Sequence, residues 1–312
     1  MVRYAVIDGH VDLLHYLRFS HPGRSFAEAS GGRLFPRALE QGGVRVFASA
    51  YFLPDASLPP ELGIALDDAV AYLDRYAPEI LPIFDAAELR AAFEAEQGPP
   101  RAIRLLENSD ALADYDLDAF TAKGFKIVGL THFGQNRLAA GDRVDPTHGL
   151  TAAGRALLPR LARRGLILDT AHLNQASFFE ALAAFDGPVM CSHTGFRRFN
   201  DTPRNLSAEQ LSALVDQGGV AGVTVAPEIL SAERSACVDD VVEAMDWAVQ
   251  RHGPACVALG SDYGGFDTPN RGLEHPGLLP ALAEALARRG YPDDAVAGIM
   301  GGNWLRFFEK NW

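Results

Sequence analysis

Two histidines, His172 and His193, each close a short apolar run: Leu166-Ile167-Leu168-Asp169-Thr170-Ala171-His172 and Pro188-Val189-Met190-Cys191-Ser192-His193. Between them, residues 175–185 carry apolar side chains at helical spacing, so the stretch reads as a β-α-β unit. In parallel α/β folds the carboxyl ends of the strands face one crevice, so the two imidazoles should converge there and suit a metal ion. Other strand-like runs end in the same way. His10-Val11-Asp12 is an H-x-D pair whose alternate side chains point the same way in an extended chain, and Glu107, His132 and Asp262 close three further runs. A lone His at a strand end is commonly a hydrogen-bonded structural residue, and a lone Asp after a strand is commonly a helix N-cap. Coincidence at six of eight strand ends is hard to explain that way.

Four His, two Asp and one Glu are donors suited to Zn²⁺, with Mn²⁺ or Fe²⁺ also compatible, and they exceed what one ion needs. A natural division gives His10 and Asp12 to one ion, His172 and His193 to another, and Glu107 to a bridge between them. His132 and Asp262 are left for the reaction itself. Two ions about 3.5–4 Å apart hold a hydroxide and polarise a carbonyl, which is a hydrolase's use of such a pair.

The elements that must position these residues are strand-like runs at residues 2–8, 45–52, 102–107, 126–131, 166–171, 188–192, 220–225 and 257–261. Amphipathic helical runs alternate with them, and two more, at 278–289 and 295–308, follow the last strand. Eight parallel strands alternating with helices over 312 residues predict a (β/α)8 TIM barrel, a single domain spanning 1–312; a doubly wound open sheet is the alternative. Residues 18–43 form a long loop after the first strand and are a candidate wall or lid of the site, and residues 80–93 are a surplus unit between strands 2 and 3.

A composition of 48% apolar and 22% charged residues is that of an ordinary globular protein, and a net charge of −12 argues against a nucleic-acid partner. No apolar run approaches the length of a membrane span, and the N-terminus lacks a signal peptide's apolar core. With three cysteines, an odd number, a reduced cytoplasmic protein is expected. The C-terminal aromatics Trp304, Phe307, Phe308 and Trp312 are expected to pack within the fold, with a homodimer contact as the alternative.

Taken in order, the motifs resemble the membrane (renal) dipeptidase family of the amidohydrolase superfamily. They are Asp8-Gly9-His10-Val11-Asp12-Leu13, Glu107, Leu130-Thr131-His132 with Asn136, Gly149-Leu150-Thr151 with Gly154, and Asp169 to His172. Ser192-His193, Pro203-Arg204-Asn205-Leu206, Gly260-Ser261-Asp262 and Gly301-Gly302-Asn303 complete the set. The resemblance implies a zinc enzyme cleaving dipeptides, with two Zn²⁺ per chain held by His10, Asp12, Glu107, His172 and His193. It also implies that Asp262 moves the proton from the bridging hydroxide to the leaving amine, and that His132 contacts the substrate and stabilises the oxyanion. Arg204 would clamp the substrate's free carboxylate. The substrate is then a dipeptide or a dipeptide-like small molecule, and in this family the leaving residue can be of D configuration.

Two departures bear on the substrate. After strand 7, where many relatives carry Asn and aromatic residues, this chain has Thr224-Val225-Ala226-Pro227-Glu228, a smaller wall in which a Glu228 facing the pocket would favour a cationic or zwitterionic group, an exposed loop residue being the alternative. Where relatives often have Asp-Phe-Asp-Gly, it has Asp262-Tyr263-Gly264-Gly265, which keeps the first carboxylate and loses the second. The alternatives are an amidohydrolase-type deacylase or lactonase and, in another class, a non-catalytic barrel that binds a metal or small ligand.

Overall fold

The computed structural model describes residues 4–54 and 64–312. Eight parallel strands pair in chain order: β1 (Val6–Val11), β2 (Val44–Phe52), β3 (Arg101–Glu107), β4 (Phe125–Gly129), β5 (Ile167–Asp169), β6 (Val189–Thr194), β7 (Ala221–Val223) and β8 (Val257–Leu259). Helices fill the connections, so the chain is a (β/α)8 barrel and not an open sheet. Each expected run holds a strand, with ends shifted by a few residues. Val2 and Arg3, the expected start of the first, lie outside the described residues. β1 runs on through His10 because an irregularity between Asp8 and Val11 lets it keep pairing with β2.

The barrel closes just past β8. Asp262 N donates to His10 O at 3.0 Å, Asp12 N donates to Tyr263 O at 2.9 Å, and Val11 and Tyr263 form a single parallel bridge.

Alternation along the strands sorts the side chains. One face carries Ile7, Val46, Ala48, Ala50, Ile103, Leu105, Ile127, Ile167, Met190 and Ala258, which pack together with Trp304 as an inner core. The other face packs against the surrounding helices in a second, larger apolar layer. Two positions further along the inner face the apolar residues give way to polar ones: Leu105 to Glu107, Ile167 to Asp169, Met190 to Ser192. A floor of hydrocarbon thus turns into a mouth of ligand-type side chains at the carboxyl ends.

β6 leans into the lumen. A Cβ on Gly222 or Gly260 would sit 2.0 or 1.9 Å from the Ser192 carbonyl oxygen, so only glycine leaves room for it, and the pairing of β6 with β7 shifts register between Cys191 and Thr194.

The floor is sealed by the helix Asn303–Asn311. Trp304 is fully buried with its Nε1–H donating to Leu259 O at 2.7 Å, and Phe307 and Phe308 pack beside it. The expected helix 295–308 is three pieces: Asp293–Ala297, a widened turn over Gly298–Gly302, and Asn303–Asn311; its three glycines ease the widening. The surplus unit supplies the helix Ala86–Glu94, whose Leu89 joins the inner core under the floor.

Residues 18–43 depart from expectation, since none of them lines the cavity described below. The segment buries Phe26 and Leu34, and its Arg33 guanidinium donates to the Phe266 carbonyl and lies 3.3 Å from Asp267 Oδ1. Apolar anchors hold it against the body, so it braces the loop after β8. Among the described residues no helix is long and apolar enough to cross a membrane.

Candidate metal centre and active site

At the carboxyl ends of the strands lies a cavity of about 550 Å³ whose lining includes Asp12, Glu107, His132, His172, His193, Arg204 and Asp262. His10 sits fully buried beneath it. All eight residues singled out from the sequence are therefore brought together.

Three groups of donors meet there, each with its atoms within 4.8 Å of one another: His10, Asp12 and Asp262; Glu107, His172 and His193; and His10, Asp169 and His193, which links the first two. His10 Nε2 is 3.3 Å from Asp12 Oδ2 and 4.0 Å from Glu107 Oε2, while His172 Nε2 is 3.1 Å from Glu107 Oε1. Glu107 thus straddles the first two groups. His172 Nε2 and His193 Nε2 face each other at 3.1 Å.

The outer nitrogens explain why the inner ones are free to bind. His172 Nδ1 donates to Asp142 Oδ2 at 2.9 Å. Ser192 Oγ lies 3.0 Å from His10 Nδ1 and 2.9 Å from His193 Nδ1. One hydroxyl oxygen has two lone pairs, so it accepts from both rings at once and turns each Nε2 toward the other donors. His10 Nε2 is buried with no hydrogen-bond partner. A buried, unsatisfied imidazole nitrogen among carboxylates, with two more converging beside it, fits a divalent cation of the Zn²⁺ type.

Electrostatics agree. Burial, assisted at His172 by the charge of Arg204 and at His193 by that of His10 and then Arg204, holds both rings well below the ordinary histidine range, in the neutral form a metal ligand needs. His132 is pulled down to about 3, chiefly by burial and then by Arg204, so it too is neutral. Burial lifts Glu107 to about 8, and burial with the like charge of Asp12 lifts Asp262 well above the carboxylate range. Burial lowers His10, yet Asp12 outweighs it and raises the ring to about 10.

The backbone is strained at the same place. Among the described residues four non-glycines have positive φ: Asn108, His172, Arg234 and Asp262. Asn108 follows Glu107 and the other three line the cavity. Each such conformation costs about 1–3 kcal/mol, and strain of this kind collects where side chains must be aimed.

Some functional neighbours were not singled out. Asp142 orients His172 and lies 3.8 Å from Arg204 Nε, but it sits in the loop after β4 and carries no strand-end signal. Asp8 Oδ1 accepts from Ser261 N at 2.8 Å and Asp169 Oδ1 from Ser192 N at 2.8 Å, so two buried carboxylates stitch neighbouring strand ends. Their signal is an Asp inside an otherwise apolar run. Glu228 lines the same cavity, so of its two readings the pocket-facing one holds.

A barrel with these donors around one mouth is of the class of metal-dependent hydrolases. The chain belongs to the membrane dipeptidase family, peptidase family M19, whose family model matches residues 1–311. It is similar to dipeptidase aclJ of Aspergillus oryzae, 25% identical over 98% of this chain and 78% of that protein. Among solved structures, dipeptidase AC, a metallopeptidase of family M19, is 26% identical with a TM-score of 0.87 over 99% of both chains. A metallopeptidase from Rhodobacter sphaeroides, solved with a phosphinate mimic of the dipeptide L-Ala-D-Ala, shares the fold at 24% identity, with a TM-score of 0.87 over 99% of both chains.

Proposed function

We propose that the chain is a dinuclear zinc dipeptidase that hydrolyses the amide bond of dipeptides, including those with a C-terminal D-residue. The observation that carries this reading is the pair of donor groups spanned by Glu107, with the buried Nε2 of His10 left without a partner. His10 and Asp12 would hold one ion and His172 and His193 the other, with Glu107 shared. Bound there, the ions supply an activated water and polarise the scissile carbonyl.

The remaining steps fall to the protein's own groups. Arg204 donates one N–H to His193 O at 3.1 Å, while its Nη1 is buried with no partner, a donor left for a substrate carboxylate. His132, neutral and wedged between Phe52 and Phe133 with ring centroids 4.5 and 3.7 Å away, offers an N–H to the oxygen that becomes negative. Asp262, beside Asp12, accepts the proton of the attacking water on its carboxylate and returns it to the leaving amine. The phosphinate dipeptide mimic bound by the Rhodobacter protein is in keeping with a dipeptide-sized substrate.

The test is metal content by mass spectrometry, with hydrolysis of L-X-D-Y and L-X-L-Y dipeptides before and after Zn²⁺ is added. About two metals per chain together with dipeptide turnover is the expected result. Two metals with no dipeptide turnover would discard the substrate, and a metal-free, inactive protein that Zn²⁺ does not rescue would discard the mechanism.

A further inference from the structure

After β7 the chain turns into a short helix, Pro227–Leu230, which presents Glu228 and Ile229 to the cavity. This wall is fixed in place. Asn200 Nδ2 donates to Glu228 O at 3.0 Å and to Ile229 O at 3.2 Å, and Asn205 Nδ2 donates to Ile229 O at 2.8 Å. Asn205 follows Arg204 directly, so the segment bearing Glu228 is clamped to the segment bearing the unpaired Arg204 nitrogen. The cavity has two held poles of opposite sign.

Glu228 Oε2 is buried and has no hydrogen-bond partner, and the ion pairs among the described residues include none to Glu228. Leaving a carboxylate oxygen dry and unpaired is costly, more so than for a neutral group, so the arrangement calls for a donor from outside the chain. Two further arginines line the cavity, Arg143 and Arg234, but both are exposed, and water satisfies an exposed guanidinium at little cost. Arg143 is also stacked over Phe133 at 3.6 Å. The half-buried carboxylate, with one oxygen sealed from water and without a donor, and not the exposed cations, therefore sets what the pocket lacks.

We propose that Glu228 selects dipeptides that carry a cationic side chain, a lysine-like ammonium or an arginine-like guanidinium. The stem of such a side chain would lie along Ile229 while its head meets the carboxylate. Resting on the dipeptidase reading, this names the substrate class of the same site.

The experiment compares Lys-containing dipeptides with their norleucine counterparts, the basic residue first or second, in wild type and Glu228→Gln. Wild type should prefer lysine by about tenfold or more in kcat/KM, and Glu228→Gln should bring the ratio near one with the norleucine substrates unchanged. An equal ratio in both proteins overturns the assignment. An equal loss on lysine and norleucine substrates would mean that Glu228 grips the α-ammonium, which also overturns it. Calorimetric binding of the same pairs reads Glu228 without turnover. Lysine-selective binding lost in Glu228→Gln, with no hydrolysis of any dipeptide, would sink the dipeptidase reading and keep the assignment; equal binding would sink the assignment alone.

Discussion

Ser192 shows how much one small side chain governs. Its Oγ sits between His10 Nδ1 and His193 Nδ1, so a single hydroxyl sets the tautomer of a ligand in each donor group. Ser192→Ala should fold normally and lose about tenfold or more in metal affinity, read by chelator competition; unchanged affinity would mean the tautomers are set elsewhere. Asp262 lies at the other extreme, among the donors of one group yet proposed to carry the proton. Asp262→Asn should keep its metal content and lose about 10²- to 10⁴-fold in kcat, and full activity in that variant would end the proton-transfer role. At Arg204, Arg204→Met should raise KM for substrates with a free carboxylate and leave carboxylate-blocked analogues nearly unchanged. Equal effects on both would remove the clamp. Most of these residues were legible because ligand-type side chains closing apolar runs are chemically conspicuous. Asp142 was not, because a loop carboxylate announces nothing until the fold sets it 2.9 Å from His172 Nδ1.

At the scale of elements, the inward lean of β6 matters most. It carries Ser192 and His193 toward His10, whose ring centroid is 3.7 Å from that of His193, and it is possible only because Gly222 and Gly260 have no Cβ. Gly222→Ala should cost about 1–3 kcal/mol in denaturant unfolding and weaken metal binding with it, since relief requires β6 to retreat. A stable variant with normal metal content would show that the lumen has slack. The eight strands could be read from the chain because each is buried on both faces and so appears as an apolar run between turns. Strand ends could not be fixed, since pairing across a barrel, with its bulges at Asp8 and Cys191, decides where a ladder stops. The segment 18–43 misled for a related reason: length and glycine content mark a loop, but only Phe26, Leu34 and Arg33 show which neighbour it leans on.

For the molecule as a whole, the site and the medium are linked through protons. Glu107 is held at about 8 and His10 at about 10, so near neutral pH both carry a proton when no cation is present. A metal must expel those protons, so its affinity should strengthen as pH rises toward 8 and fall in acid. Calorimetry in two buffers of different ionisation enthalpy near pH 7 should register release of about two protons per chain; release of none would mean that the metal-free site is already deprotonated. The seam where the barrel closes has a consequence of a different kind. β1 meets the chain beyond β8 through a single bridge and two backbone hydrogen bonds, and those bonds join the residues His10, Asp12 and Asp262 themselves. A growing chain emerging from a ribosome holds His10 almost from the outset, yet it gains Asp262 only after every other strand has been made. The donor set therefore stays incomplete until more than four fifths of the chain has been made, and a copy that stops short of Asp262 is silent by construction.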